Sequence, residues 1–121
     1  MLETGIKGKQ EVVVSDANSA KTMGSGTLDV FATPAMTALM EKTAWMSVAD
    51  QLDEGCGTVG TLLNVTHDAP TPLGMTVWCE TELVEVDGRR LVFDVAAYDH
   101  ERFIIQNEKF QAKANKKALA E

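Results

Sequence analysis

The stretch that decides the fold is VFATPAMTALMEKTAW, residues 30–45. Its Thr33-Pro34 pair is a typical helix start, with Thr33 at the N-cap and Pro34 at the first helical position. Apolar residues follow at helical spacing, and the segment DEGCG (53–57) supplies glycines that end a helix. The sequence therefore predicts one long helix that runs to about Leu52.

Every other predicted element is a strand. The candidate strands are QEVVV (10–14), TVGTLLNVTH (58–67), MTVWCETELVEV (75–86), RRLVFDVAAY (89–98) and HERFIIQNEKFQAK (100–113). Asp87-Gly88 indicates a tight hairpin, and we predict that the four strands after the helix form a meander. One long helix on an antiparallel sheet of about five strands is an α+β fold, predicted here as a single domain over residues 1–121. Because one helix cannot cover both faces of a sheet, we expect a homodimer, with a tetramer left open.

Composition narrows the class of protein. The 121 residues are 45% hydrophobic and 24% charged, which suits one globular domain. A net charge of −7 argues against nucleic acid or an anionic membrane as the main partner. No signal-peptide pattern and no apolar run near the ~20 residues of a membrane span are visible. Cys56 and Cys79 are too few for a disulfide framework or a zinc site, so we predict a cytoplasmic protein with reduced thiols.

Glu41 lies inside the apolar stripe that the helical pattern predicts. At 100° per residue, the positions within about 60° of it are Pro34, Thr37, Ala38, Ala44, Trp45, Val48 and Leu52. Burying a carboxylate without a partner is costly, so a glutamate in such a stripe is a functional candidate. The structural alternative is a glutamate at the border of the stripe, with its stem packed and its head in water.

Two further residues are candidates. His67 lies where a predicted strand ends and a proline-rich turn begins; a histidine there can move protons, although a lone histidine is more often structural. Gly60 lies within a predicted strand, where glycine marks either the close approach of a ligand or a β-bulge.

Three blocks of the sequence resemble the hotdog-fold thioesterases, specifically the fluoroacetyl-CoA thioesterase-like family. The blocks are VFATPAMxxLME, TVGTxxxVTHxAPTPxGM and VDGRRLxFxVxAxD, which agree in order and spacing, and the match extends from Val30 to Lys113. The resemblance implies a long helix wrapped by an antiparallel sheet, a dimer, and hydrolysis of short acyl-CoA thioesters. It implies neither a metal nor a cofactor, since coenzyme A is part of the substrate.

Residue by residue, the resemblance implies a catalytic set of Thr33, Glu41 and His67, with the backbone of Gly60 at the thioester. A helix start at Thr33 would offer N–H groups to the carbonyl oxygen as it gains charge. Glu41 could attack or activate water, and His67 could carry the proton. Whether Glu41 or Thr33 is the nucleophile stays open.

Spacing adds a constraint on this site. Thr33 and Glu41 are eight residues apart, a rise of roughly 12 Å along one helix, which exceeds hydrogen-bond reach. A partner subunit could bring its own Glu41 beside Thr33. The resemblance to hotdog enzymes, which build their sites across the dimer interface, implies two equivalent sites in each dimer.

Coenzyme A carries phosphates, and the candidates to bind them are Arg102, Arg90 and Lys109, with Arg89 beside them. Arg102 lies in HERF, which resembles the family's THER block. The alternative for each is an exposed, solubilising charge, and Arg89 and Arg90 also flank the predicted hairpin.

The sequence departs from the family in two places. Members carry an acidic segment before HER, whereas here Asp99 is followed directly by His100; family-like sequence resumes in register, which favours an omitted loop over a shortened hairpin. The segment GSGTLDV (24–30) lacks aromatic lid residues, so fluoroacetyl specificity is not implied. Two other hypotheses for the function stay open: a hotdog dehydratase acting on a carrier-bound acyl chain, and a noncatalytic acyl-CoA binding or sensing protein.

Overall fold

The computed structural model describes residues 2–65, 70–99 and 108–116, the last range as backbone. Its strands are β1 (Lys7–Val13), β2 (Cys56–Asn64), β3 (Thr76–Asp87), β4 (Arg90–Tyr98) and β5 (Glu108–Lys116). Between β1 and β2 lie a short helix, α1 (Ala20–Met23), and the long helix α2 (Thr33–Val48), with 3-10 turns at Asp16–Asn18 and Ala49–Gln51. The predicted α+β fold, one long helix on a five-stranded antiparallel sheet, is confirmed. Among the described helices, none is long and apolar enough to span a membrane.

The strand order is β1-β3-β4-β5-β2, and every neighbouring pair is antiparallel. β3, β4 and β5 form a meander, but β2 pairs with β5 at the far edge of the sheet, so the prediction of a meander of four strands is wrong. The segment that joins β2 to β3 does not close a hairpin. Its prolines, Pro70 and Pro72, have no N–H to continue a ladder. The end of this segment lies beside β1. There Val14 N donates to Met75 O and Gly74 N donates to Val14 O, each at 2.8 Å.

The core lies between α2 and the inner face of the sheet. α2 buries Met36, Leu39, Met40, Thr43, Ala44 and Val48. Against them pack Val77, Cys79 and Leu83 of β3 and Leu91, Phe93 and Val95 of β4. Each large side chain buried in this way contributes roughly 1.5–3 kcal/mol of transfer free energy, which is enough to fix α2 across the sheet.

The alternation of β3 follows the sequence only as far as a β-bulge. Val77, Cys79, Thr81 and Leu83 are buried, as the period-two pattern predicts. Glu85 was predicted on the same face but is exposed, because the register with β4 shifts between Leu83 and Glu85. A bulge adds one residue and reverses the facing of everything after it.

Candidate active site

The chain that leads into α2 is held by backbone hydrogen bonds with two other segments, one at residues 18–20 and one at Thr71. Phe31 N donates to the carbonyl oxygen of Thr71 and Ala32 N donates to that of Asn18, both at 2.9 Å, while Ala20 N donates to Val30 O at 2.7 Å. These bonds keep the chain extended through Ala32, which has φ −75° and ψ 140° and is the N-cap.

The predicted cap is therefore displaced by one residue. Thr33 is the first residue of α2 and not its N-cap, and Pro34 follows it in the first turn. Thr33 is exposed. It lies where a helix presents N–H groups and the positive end of its dipole, and its role toward the carbonyl oxygen stays a prediction.

Glu41 lies on the flank of α2 and is exposed in the single chain. The prediction that it belongs to the buried stripe is wrong for one subunit. The face that packs on the sheet is centred near Met36, Met40 and Thr43, roughly 130° around the helix from Glu41. Trp45, which was predicted to share the stripe, is 49% exposed. The error arises because α2 carries apolar residues on most of its sides, so the sequence does not mark the side that the sheet covers.

A cavity of about 320 Å³ joins Glu41 to the edge strand. Its lining residues are Ala38, Glu41, Lys42, Trp45, Thr58 and Gly60. Two residues predicted for the site, Glu41 and Gly60, thus face the same space between α2 and β2. Glu41 supplies a carboxylate, Gly60 exposes backbone without a side chain, and Trp45 supplies an apolar wall.

Gly60 lies at an irregularity of β2. The register with β5 shifts between Gly60 and Leu62, so the strand carries a bulge there. The two sequence interpretations of this glycine, a bulge and a close approach to a ligand, are compatible, since a bulge exposes backbone beside the cavity that Glu41 lines.

The remaining predicted residues are not brought into this cavity by the described structure. Thr33 lies eight residues before Glu41 on the same helix. His67 and Arg102 lie outside the described residues. His100 does too, so the predicted omitted loop at the Asp99-His100 junction stays a prediction. The backbone of Lys109 lies in β5, opposite Asn64 on one side and Asp94 on the other.

Arg90 is engaged elsewhere. Its guanidinium forms an ion pair with Glu85, and both side chains are about half exposed. Its neighbour in the strand, Leu91, is buried under the helix, so Arg90 points to the opposite face of the sheet. The arrangement fits the structural alternative for this arginine, a charge that flanks the β3–β4 hairpin.

Comparison with known proteins identifies the family. The model of the fluoroacetyl-CoA-specific thioesterase family, FlK, matches residues 14–117. The fluoroacetyl-CoA thioesterase of Streptantibioticus cattleyicolor is 44% identical over 101 residues, which cover 76% of this chain and 73% of that protein. This chain belongs to the FlK thioesterase family. It is a thioester hydrolase, as the resemblance in the sequence predicted.

Solved structures confirm the hotdog fold of this thioesterase. A crystal structure of the fluoroacetyl-CoA thioesterase FlK has a TM-score of 0.89 at 30% identity, covering 96% of this chain and 90% of that one. An FlK variant in complex with fluoroacetate and CoA has a TM-score of 0.88 at 30% identity, covering 95% and 96%. A hot-dog-like protein from Thermanaerovibrio acidaminovorans, only 22% identical, shows the same fold with a TM-score of 0.85 over 96% of this chain and 85% of that one.

Two residues that line the cavity beside Glu41 in this thioesterase were not predicted as site residues. Lys42 and Trp45 line the cavity with it. The helical spacing already placed Trp45 beside Glu41, since residues four apart are neighbours on a helix, but Trp45 was assigned to the apolar stripe and not to the site. Lys42 was not a candidate, because nothing in its spacing marks it as a cavity residue.

A second depression, of about 460 Å³, lies over β1, β3 and β4 and is lined in part by Lys7, Lys9, Glu80, Glu82 and Asp94. It holds none of the predicted site residues, and its charges of both signs are typical of a solvated sheet face. The smaller cavity beside Glu41 is therefore the candidate active site.

Proposed function

We propose that this thioesterase hydrolyses short acyl-CoA thioesters to the free acid and coenzyme A, at two equivalent sites shared between the subunits of a homodimer. The observation that carries the proposal is the cavity in which Glu41 faces Gly60, in a chain that belongs to the FlK family. Thr33, Glu41 and His67 are the reactive groups.

The chemistry suits a thioester. The start of α2 at Thr33 offers hydrogen-bond donors and a positive dipole end to the carbonyl oxygen as it becomes negative. The carboxylate of Glu41 either activates a water molecule that attacks the acyl carbon, or attacks that carbon itself, which expels the thiolate and leaves an anhydride that water then hydrolyses to the free acid and Glu41. In both routes His67 passes a proton to the departing thiolate and water replaces that proton. No metal is needed, because a thiolate is a good leaving group and the charge is met by these donors.

The dimer is supported by the contrast between the two edges of the sheet. β1 carries Lys7, Lys9 and Glu11 along its length, and such charges discourage pairing with another strand. β2 has the sequence CGTVGTLLN, which contains no charge, and it exposes Val59 (54%) and Leu62 (51%). Within the five described strands it pairs only with β5, so its other edge is open to the β2 of a second copy.

A shared site follows from the length of the helix. Thr33 and Glu41 are separated by roughly 12 Å along α2, so one acyl carbon cannot contact both of them in the same subunit. Pairing through β2 would bring a second α2 next to the cavity, because that cavity lies between the first α2 and β2. It would also cover the exposed flank that holds Glu41 and Trp45, and would so supply the dry surroundings that one chain lacks.

For coenzyme A, we retain Arg102, Lys109 and Arg90 as candidates to hold its phosphates. Arg90 has the weakest support of the three, because it is paired with Glu85. We add Lys42, the one cation that lines the cavity beside Glu41 among the described residues.

Two further expectations remain part of the proposal. We place the enzyme in the cytoplasm, which the two free thiols Cys56 and Cys79 support. We also expect no cofactor, so that dialysis against EDTA leaves kcat unchanged, whereas loss of activity that Zn²⁺ or Mg²⁺ restores would contradict a metal-free mechanism.

The test is the release of free CoA from acetyl-, propionyl-, butyryl-, benzoyl- and fluoroacetyl-CoA, followed with a thiol-reactive dye. Hydrolysis of at least one of them by the wild type is expected, and Glu41→Gln should lower kcat at least ~100-fold, since the amide can neither attack nor accept a proton. Glu11→Gln on β1, at the opposite edge of the sheet, is the matched control and should match the wild type.

Tight binding of these thioesters without turnover would contradict the proposal and favour an acyl-CoA sensor. His67→Ala separates chemistry from binding: it should lower kcat more than it raises KM, as expected for proton transfer in the transition state. A rise in KM alone would move His67 to a binding role.

A further inference from the structure

Outside the candidate site, a buried hydrogen bond joins two segments that are distant in sequence. The hydroxyl of Thr71 donates to Oδ2 of Asp99 at 2.9 Å, across 28 positions of sequence. Thr71 is fully buried and Asp99 is 3% exposed. A buried carboxylate is costly, and apolar side chains of the same size would hold two segments together at least as well. Stabilisation of the fold alone therefore does not explain why these two residues are polar.

Thr71 is held on its other side by the start of α2. Its carbonyl oxygen accepts the backbone hydrogen bond from Phe31 at 2.9 Å, and a β-bridge joins Val30 to Pro72. Phe31 and Ala32 are both buried, so this part of the chain has little freedom to relax. Thr33 follows two residues after Phe31. A continuous path thus runs from the end of β4 through Asp99 and Thr71 to the first residue of the long helix.

Thr71 also lies four residues after His67 in the sequence. Asp99 therefore anchors the segment that follows His67 in the sequence. The same segment contacts the residues that lead into Thr33. A displacement of about 1 Å between reacting groups can cost on the order of 100-fold in rate, so an anchor between them matters for catalysis.

We infer that Thr71 and Asp99 are positioning residues for thioester hydrolysis: their buried hydrogen bond fixes the 70–72 segment against the start of α2 and so sets the place of Thr33 relative to the acyl carbonyl. Neither residue touches the substrate. The inference rests on the proposed function, because it presumes that Thr33 acts at the reacting carbonyl.

The test compares Thr71→Val with Thr71→Ser. Valine keeps the shape but removes the hydroxyl, whereas serine keeps the hydroxyl. We expect Thr71→Val to lower kcat at least ~tenfold with KM within about twofold, and Thr71→Ser to return kcat to within about threefold of the wild type. All assays are run well below each variant's measured Tm, so that lower stability alone leaves kcat unchanged.

Thr81→Val is the matched control. Thr81 is another buried threonine, and its hydroxyl has no hydrogen-bond partner among the described residues. Removing that hydroxyl should leave kcat at the wild-type value. A decrease in kcat equal to that of Thr71→Val would overturn the inference, since any buried threonine would then have the same effect.

The remaining outcomes are distinct. A wild type that hydrolyses acyl-CoA, together with a Thr71→Val variant that keeps its kcat, overturns the positioning role alone. A wild type that hydrolyses none of the thioesters overturns the proposed function and this inference with it. If Thr71→Val does not fold, Thr71→Ala replaces it in the comparison. Failure of both to fold overturns the assignment, because the bond would then serve the fold itself.

Discussion

Cys79 is a residue whose chemistry follows from its place in the core. It has no exposed surface, lies on the inner face of β3 and packs in the core with α2. Burial raises the pKa of its thiol from 9.0 to about 11, against a lowering contribution from a hydrogen bond with Thr43. The neutral thiol is thus favoured in the folded chain, which makes Cys79 an inert core residue at neutral pH and not a nucleophile.

This pKa predicts a loss of stability in alkali. The folded pKa lies above the unfolded one, so the contribution is fully present below about pH 9 and is lost as pH rises through 11. Between pH 7 and pH 10 the wild type should lose about 1.4 kcal/mol of unfolding free energy more than Cys79→Ala does. Urea unfolding at both pH values measures this difference. Cys56→Ala, at a half-buried thiol, is the control, and equal losses in the wild type and Cys79→Ala would contradict the account.

The identity of the candidate residues was accessible from the sequence, but their surroundings were not. Thr33 was identified from a helix-start signal and from the resemblance, yet the cap lies one residue earlier because Ala32 is held extended by Asn18. Glu41 was correctly placed on α2 but wrongly assigned to its buried face. The bond between Thr71 and Asp99 left no trace in local pattern, because it joins residues 28 positions apart.

β1 and α2 approach each other closely at Gly8. A Cβ added at Gly8 would lie 2.7 Å from the Cβ of Ser47, 2.9 Å from the carbonyl oxygen of Thr43 and 2.9 Å from the hydroxyl of Thr81. One of these atoms belongs to the backbone of α2 and cannot turn aside. Gly8 is therefore required for the helix to lie this close to β1.

Substituting this glycine should loosen that contact. We expect Gly8→Ala to lower the free energy of unfolding by roughly 1–3 kcal/mol, the cost of forcing extra volume into a packed site. Gly26→Ala is the control, because the nearest atom to its new Cβ is the Cβ of Ala20 at 3.4 Å. Chemical denaturation of both variants measures the difference, and a Gly8→Ala variant as stable as the wild type would show that α2 can move away freely.

The edge strand β2 carries the prediction about assembly. A lysine at Val59 places a charge on the edge that the proposal assigns to the partner subunit, and desolvating that charge opposes pairing. We expect Val59→Lys to halve the molar mass measured by light scattering. Val13→Lys is matched to it, since Val13 is 55% exposed on the opposite edge strand, and it should stay a dimer. A Val59→Lys protein that remains dimeric would place the interface elsewhere.

Elements were more predictable than their arrangement. Alternating residues and the Asp87-Gly88 turn correctly indicated β3 and β4, because strand formation and tight turns are encoded locally. The pairing of β2 with β5 was missed, since it depends on contacts between segments far apart in sequence. The bulge beside Leu83 was missed as well, and with it the exposure of Glu85.

At the scale of the whole molecule, the account depends on a site that one chain does not complete. The single subunit leaves Glu41 exposed beside an open, uncharged edge strand and holds Thr33 roughly 12 Å away on the same helix. A second copy paired through β2 would cover Glu41 and would also bring its own Thr33 close to that carboxylate. The central claim is therefore that Thr33 of one subunit acts together with Glu41 of the other.

Complementation between inactive variants tests this claim most directly. Thr33→Ala and Glu41→Gln chains carrying different affinity tags are co-expressed, and the heterodimer is purified through both tags. If each site takes one residue from each subunit, the heterodimer has one intact site and one doubly altered site, so it should show roughly half of the wild-type kcat per dimer. A heterodimer no more active than either parent homodimer would contradict the shared site.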